Sequence, residues 1–410
     1  MAVANVDEQL RVLRAGTVDC ITEDELREKL ASGRPLRIKL GLDPTASDIH
    51  LGSAVVLRKL RQFQDLGHVA VLIIGDFTAR VGDPSGRTAT RPPLSGDEID
   101  ANAMTYVDQA QHILLPDEDR LEVRRNSEWL APMDMADVLR LTSRVTVARL
   151  LERNDFSARY EAGEPISLME LLYPLLQGWD SVMIDADVEL GGTDQLFNIL
   201  MGRHLQEQVR KAPQVVLTTP LLVGIGGGEK MSKSLGNHVG ITEPPDQQFG
   251  KLMRVPDEVM PQYFELATGW GPDRVAETIA EIERAEPADR ARLKRELART
   301  VVDLYHAEGA GTAAESEFDR VFKDHAAPTE VPEYVIPSEE LRDGRIEVAR
   351  LLTLAGLVAS NREGRRKIQE GGVYLEDDRV TDPSLQVAPA EVDGRLLRLG
   401  RRSWIRIRAR

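Results

Sequence analysis

The stretch LRIKLGLDPTASDIHLGSAVVLRKLRQFQDLGHVAVLIIGDF, residues 36–77, decides the fold class. Two strand-like runs, 36–42 and 69–77, flank an amphipathic helical pattern from Gly52 to about Leu66, and strand, helix, strand in that order is a βαβ unit. It predicts a parallel sheet. Between first strand and helix, Asp43, Pro44 and Thr45 are turn formers, and His50, Leu51 and Gly52 open the helix. Ligands of open parallel sheets bind beyond the strand ends, and the N–H groups of a helix N-terminus favour anions. The turn therefore has the outline of a nucleotide-phosphate site, where Gly41 and Gly52 permit close backbone approach. His50 would donate a ring N–H to a phosphate oxygen without changing its own protonation. A histidine that merely caps or packs at the helix start fits the same residues.

Outward from this unit, the 410 residues suggest two or three domains, and 42% hydrophobic with 29% charged residues is globular composition. The single cysteine, Cys20, excludes an intramolecular disulfide and a multi-cysteine zinc site. No apolar run approaches the roughly 20 residues of a membrane span, and the N-terminus has no leader pattern, so a cytoplasmic protein without membrane contact is expected. The net charge of −15 argues against wholesale coating of nucleic acid, but the charge is segregated. Residues 345–410 hold fourteen Lys and Arg against nine Asp and Glu, a local +5. Pro328, Pro332 and Pro337 disfavour helix just before this tail. The expected organisation is an α/β catalytic domain over 1–245, a helical region over 246–326, a linker over 327–343 and a separate domain over 344–410.

A second phosphate-handling element is VGIGGGEKMSKSLGN, residues 223–237. Its glycines loosen the backbone, and Lys230 and Lys233 can swing onto a triphosphate and neutralise charge as pyrophosphate leaves. A P-loop is rejected, because Glu229 precedes Lys230 and Met231 follows it. A solvated turn is the plain alternative, and Met231 is out of place in it.

His-Leu-Gly at 50–52 and Lys-Met-Ser-Lys-Ser at 230–234, in that order, resemble the two signatures of class I aminoacyl-tRNA synthetases. GDFTARVGDPSGRTATRPPL, LLYPLLQGWDS and DVELGGTDQLFN are similar to the tyrosyl branch in its longer bacterial form, nearly end to end. The resemblance implies a Rossmann-type parallel-sheet catalytic domain, an α-helical anticodon-binding region, a small α+β RNA-binding domain of the S4 type, and a homodimer. It implies an aminoacyl-tRNA ligase that activates L-tyrosine with ATP and transfers it to the 3′ end of tRNA(Tyr). Mg²⁺ would accompany ATP as part of the substrate, without a dedicated protein metal site. It implies catalytic roles for His50, Lys230 and Lys233, with Arg87 and Arg91 on the departing pyrophosphate. ATP contacts would come from Gly41, Asp43, His50, Gly52, Ser53, Gly192, Asp194, Lys230, Met231 and Lys233. Asp83, Tyr173 and Gln177 would hold the tyrosine ammonium, with Gln195 beside the carboxylate and Asp180 accepting from the phenol. Tyr173, Gln177 and Asp180 stand at i, i+4 and i+7 and so share one helix face. A buried Asp awaiting a hydroxyl is left unpaired by phenylalanine, which rejects it.

Three positions depart from the family pattern. Ser53 replaces the second histidine of the first signature, Lys39 stands where a tyrosine touches the phenol, and Trp179 replaces a commoner tyrosine. In the tail, a first helix pattern ends at Gly356, and Ser360 with Glu363 forms a capping box for a second. Arg362, Arg365 and Arg366 make a basic stripe on it, and RRSWIRIRAR alternates apolar and basic residues as a strand. A catalytically silent or specialised paralogue acting as an RNA-binding protein is the alternative; a tryptophan-specific relative is disfavoured by Asp180.

Overall fold

The computed structural model describes residues 5–44, 48–84, 95–323, 329, 331–400 and 403–409. Arg87 and Arg91 lie outside the described residues. The chain parts into two units, residues 1–311 and 312–410.

The first unit is built on a six-stranded sheet: β1 (Cys20–Ile21), β2 (Arg37–Leu42), β3 (Val69–Ile74), β4 (Leu121–Arg125), β5 (Val188–Gly192) and β6 (Val215–Thr219). The order is β1-β6-β5-β2-β3-β4, parallel throughout except β1. β3 and β6 read as unbroken apolar or β-branched runs because helices cover both faces of a parallel sheet. The opening strand–helix–strand unit is present as β2, helix α1 (Leu51–Asp65) and β3. Leu51, Ala54, Val55, Leu57, Leu60 and Phe63 form the buried face of α1, which recurs every three to four residues. The chain leaves β2 toward β3, whereas β5 flanks β2 on the other side. The strand order reverses between β2 and β5, the position where such sheets open a crevice.

Helix α2 (Leu168–Met183) starts with Ser167 as cap and Glu170 returning the bond to the Ser167 backbone, and carries Tyr173, Gln177 and Asp180. From residue 245 to 323 the described residues contain helices and no strand: Pro245–Leu252, Met260–Ala267, Pro272–Arg284, Pro287–Tyr305 and Ala310–Phe322. Three of them begin with proline, whose missing N–H costs nothing in a first turn.

The second unit holds β7 (Glu333–Val335), β8 (Ile346–Glu347), β9 (Val373–Leu375), β10 (Asp378–Arg379), β11 (Gln386–Val387), β12 (Leu396–Leu399) and β13 (Ser403–Arg408). A five-stranded sheet runs β10-β9-β12-β13-β7, and β8 pairs with β11. Part of the stretch expected as linker is structural here: β7 pairs in parallel with β13, and Ile336 is buried in the unit's core. The prolines favour extended backbone, and β13 offers that backbone hydrogen-bonding partners. Ile405 and Ile407 of β13 point inward, as the alternation requires. The helix Val348–Leu354 ends before Gly356, whose φ of +73° suits glycine. Ser360 caps the helix Asn361–Gln369 by accepting from Glu363 N at 3.3 Å, but Glu363 reaches Ala359 N at 3.0 Å, so the return half of the box is displaced by one residue.

Candidate active site

A cleft of ≈ 380 Å³ opens at the carboxyl ends of β2 and β5. Its wall includes Gly41, Asp43, His50, Gly52, Ser53, Asp83, Tyr173, Gln177, Asp180, Gly192, Asp194, Gln195, Lys230 and Met231. Residues nearly 200 positions apart in the chain therefore surround one space. Lys233 is not on this wall; its Nζ donates to the Asp48 carbonyl, 3.8 Å from the Asp48 carboxylate. Arg362, Arg365 and Arg366 belong to the second unit and are exposed on the helix Asn361–Gln369.

The two signature segments meet through backbone pairing. Leu51 N donates to Val239 O at 2.9 Å and Ile241 N to Ile49 O at 3.0 Å, which ties the start of α1 to the chain just beyond Lys233. The glycine and lysine stretch is folded back on itself: Met231 N donates to Leu222 O and Gly224 N to Glu229 O, across a turn where Gly227 and Gly228 take φ of +75° and +80°. Met231 is thereby buried, which explains a methionine among polar residues. A Cβ on Gly52 would lie 3.4 Å from Met231 Cβ and 3.0 Å from the His50 ring, so glycine is what lets these segments approach.

His50 caps α1, with Nδ1 accepting from Ser53 N at 3.3 Å. A backbone N–H can only donate, so Nδ1 carries no proton and the neutral ring keeps its proton on Nε2. Burial first, then the charges of Lys233 and His238, push the imidazole down to about 4. At neutral pH His50 is thus an uncharged donor. The capping role and the donor role coexist, one on each ring nitrogen.

At the other end, Asp180 is buried and accepts from Trp129 Nε1 at 2.8 Å and Asn126 Nδ2 at 3.3 Å. Burial pushes its carboxyl up to about 7, against the pull of Lys39 and these two donors. Asp43 accepts from Thr78 Oγ1 at 2.7 Å and Tyr173 Oη at 2.8 Å, and burial raises it likewise to about 7. Tyr173 spends its phenolic proton on Asp43, leaving its oxygen lone pairs toward the cleft as acceptors. Gln195 Nε2 donates to Asp83 Oδ2 at 2.7 Å, and Lys230 Nζ to Asp194 Oδ2 at 3.0 Å.

Sequence reasoning missed Thr78, Asn126 and Trp129. Each comes from a distant segment, and nothing local marks a residue that will donate to a buried carboxylate. Of the departing positions, Lys39 is fully buried and Trp179 packs against the apolar cluster around Val71 and Leu175, so neither forms part of the cleft wall.

The family described as "tRNA synthetases class I (W and Y)" matches residues 31–323, and "Tyrosine--tRNA ligase SYY-like C-terminal domain" matches 330–406. The tyrosine–tRNA ligase of Deinococcus radiodurans is 47% identical over 404 residues, 98% of this chain and 96% of that one. That of Moorella thermoacetica is 47% identical over 408 residues, again 98% and 96%. The tyrosyl-tRNA synthetase of Archaeoglobus fulgidus, solved with L-tyrosine, superposes with a TM-score of 0.63 at 22% identity, covering 76% of this chain and 99% of that chain. With this fold, this cleft and near-full-length relatives, the chain belongs to the tyrosine–tRNA ligases, within the class I aminoacyl-tRNA synthetases.

Proposed function

We propose that the cleft binds L-tyrosine and ATP side by side and runs both half-reactions of tRNA(Tyr) charging. The observation that carries this is the pairing of a neutral Nε2–H donor at His50 with the Lys230 ammonium on one cleft, whose far end holds the buried acceptor Asp180. A tyrosine carboxylate oxygen attacks the α-phosphorus, the bond to the β-phosphate oxygen breaks, and pyrophosphate leaves with its Mg²⁺. The 3′-terminal ribose hydroxyl of tRNA then attacks the tyrosyl carbonyl and AMP departs. No residue becomes covalently attached; positioning and charge stabilisation do the chemistry.

His50, Gly52 and Gly41 lie against the nucleotide, with Asp43, Ser53, Gly192 and Met231 around it and Asp194 on its ribose. Lys230 and Lys233, now on Asp194 and Asp48, exchange those partners for phosphate as the 223–237 loop closes, and Arg87 and Arg91 complete the grip on pyrophosphate. Asp83, Tyr173 and Gln177 hold the amino acid's ammonium, Gln195 faces its carboxylate, and Asp180 accepts its phenol. Magnesium arrives as substrate with ATP, liganded by phosphate oxygens. The helices of 246–326 and the basic tail over 345–410, through Arg362, Arg365 and Arg366, serve tRNA.

A homodimer is supported by a series of exposed apolar side chains, Met135, Leu139, Val147, Tyr160, Leu168 and Met169, on consecutive helices of the first unit; Leu168 is 80% exposed. Among the described residues no helix is long and apolar enough to cross a membrane, in keeping with a cytoplasmic enzyme. Tyrosine-dependent ATP–pyrophosphate exchange tests the reading. His50→Ala and Lys230→Ala should each lose roughly 10²–10³ in rate, about 3–4 kcal/mol. Near-normal exchange in both refutes it, and no exchange in the parent chain would favour a silent RNA-binding paralogue.

A further inference from the structure

Behind α2 lies a polar network sealed from solvent. The side chains of Lys39 on β2 and Glu189 on β5 are 0% and 1% exposed and form an ion pair of 2.8 Å. All three ammonium protons are placed, on Glu189 Oε1, on the Gln177 carbonyl at 2.8 Å and on Ser181 Oγ at 2.8 Å. Ser181 Oγ donates onward to Glu189 Oε2 at 2.9 Å, and Gln177 Nε2 donates to Glu189 Oε1 at 3.3 Å. Gln214 Nε2 completes the carboxylate. Gln177 is therefore held at its carbonyl and at its side-chain amide. Asp180 lies on the same stretch of α2, between the two residues the ammonium grips.

A pair this deeply buried adds little net stability over apolar residues of equal volume, so a role in positioning explains it better. Neither Lys39 nor Glu189 forms part of the cleft wall, so any effect on substrate passes through Gln177 and Asp180. The groups that face Asp180 are Lys39 and Glu189 from the sheet, Asp43 beyond β2, Tyr173 on α2 itself, and the neutral donors Asn126 and Trp129. Lys39 is the cation among them.

We propose that the Lys39–Glu189 pair is a positioning and specificity-determining device for tyrosine, clamping Gln177 and setting a positive charge behind Asp180 so that the substrate hydroxyl meets a carboxylate. It rests on the reading that Asp180 receives the phenol.

Lys39→Met alone would strand Glu189, so the test is the double variant K39M/E189L in the full chain, which removes both charges together. The Michaelis constant for tyrosine should rise about tenfold and the preference for tyrosine over phenylalanine fall about tenfold, with kcat and the ATP constant changed less than about twofold. The pH below which tyrosine affinity declines should move upward. Unchanged tyrosine affinity and selectivity, with only the melting temperature altered, would overturn the proposal. If the double variant does not fold, K39Q/E189Q, which also removes both charges but keeps polar side chains in the network, carries the same comparison: a loss of selectivity supports the proposal and none overturns it. Asp180→Asn in the parent chain separates the two levels. Retained selectivity there removes the pocket reading itself. Lost selectivity there with retained selectivity in K39M/E189L removes only the role of Lys39.

Discussion

Lowering the pH from 8 to 6 should weaken tyrosine binding through Asp180. A phenol donates to an ionised carboxylate, whereas a protonated one presents its own hydrogen and loses much of that acceptor strength. Burial holds Asp180 at about 7 in the empty cleft. Around that midpoint the ionised share falls from about nine-tenths at pH 8 to about one-tenth at pH 6, a tenfold change worth about 1.4 kcal/mol. The sign follows: affinity is full above pH 7 and is lost as pH falls through it. His50 stays neutral across this range, since its own transition is depressed to about 4, and so adds no second limb. Asp43 is raised to the same value and feels Asp180, so the observed steps belong to the two carboxyls jointly. Asp180→Asn isolates the contribution: the acid loss should shrink to whatever Asp43 supplies. The assay is tyrosine-dependent ATP–pyrophosphate exchange at constant ionic strength, with phenylalanine as the substrate that lacks the hydroxyl. A Michaelis constant for tyrosine that is flat from pH 6 to 8, or an equal slope in Asp180→Asn, refutes the reasoning.

Two further outcomes follow from the geometry. Gly52→Ala places a methyl group 3.0 Å from the His50 ring and 3.4 Å from Met231 Cβ. The ring must give by a few tenths of an ångström, and exchange should fall, by less than the roughly 10²-fold that a misplacement of about 1 Å costs, with helical content by circular dichroism unchanged; a normal rate would show that His50 tolerates displacement. Replacing Arg362, Arg365 and Arg366 with Gln should weaken tRNA binding and make its dependence on log salt shallower by roughly one, rather than the full three, because Arg365 already pairs with Glu347 at 2.7 Å and Arg366 lies 3.6 Å from Glu363 and 3.7 Å from Glu370. An unaltered salt slope in filter binding would remove the stripe from the RNA surface.

Periodicity made the βαβ unit legible, because a buried helix face and a doubly covered strand each impose a spacing on apolar residues. The site was legible as far as short segments carry chemistry. His50 with Gly52, Lys230 with Met231, and the α2 face bearing Tyr173, Gln177 and Asp180 are all local patterns, and the structure brings them around one cleft. Lys233 is on Asp48 rather than on the cleft wall, a choice among acceptors that no local spacing encodes. The proline-rich stretch before the tail read as linker because its composition fits extended chain equally well whether or not a partner strand exists. β13, some seventy residues later, is the partner.

By itself, the order of residues determined the element types, the two glycine-bearing segments suited to phosphate, and the charge asymmetry of the tail, since each depends on neighbours within a few turns. Only the tertiary structure decided which titratable groups lose water and which donors reach them. Asp180 receives Trp129 and Asn126, Asp43 receives Thr78 and Tyr173, and Lys39 finds Glu189 about 150 residues away. Desolvation and hydrogen-bond geometry are properties of three-dimensional surroundings, and they set the protonation states on which recognition of a hydroxyl depends.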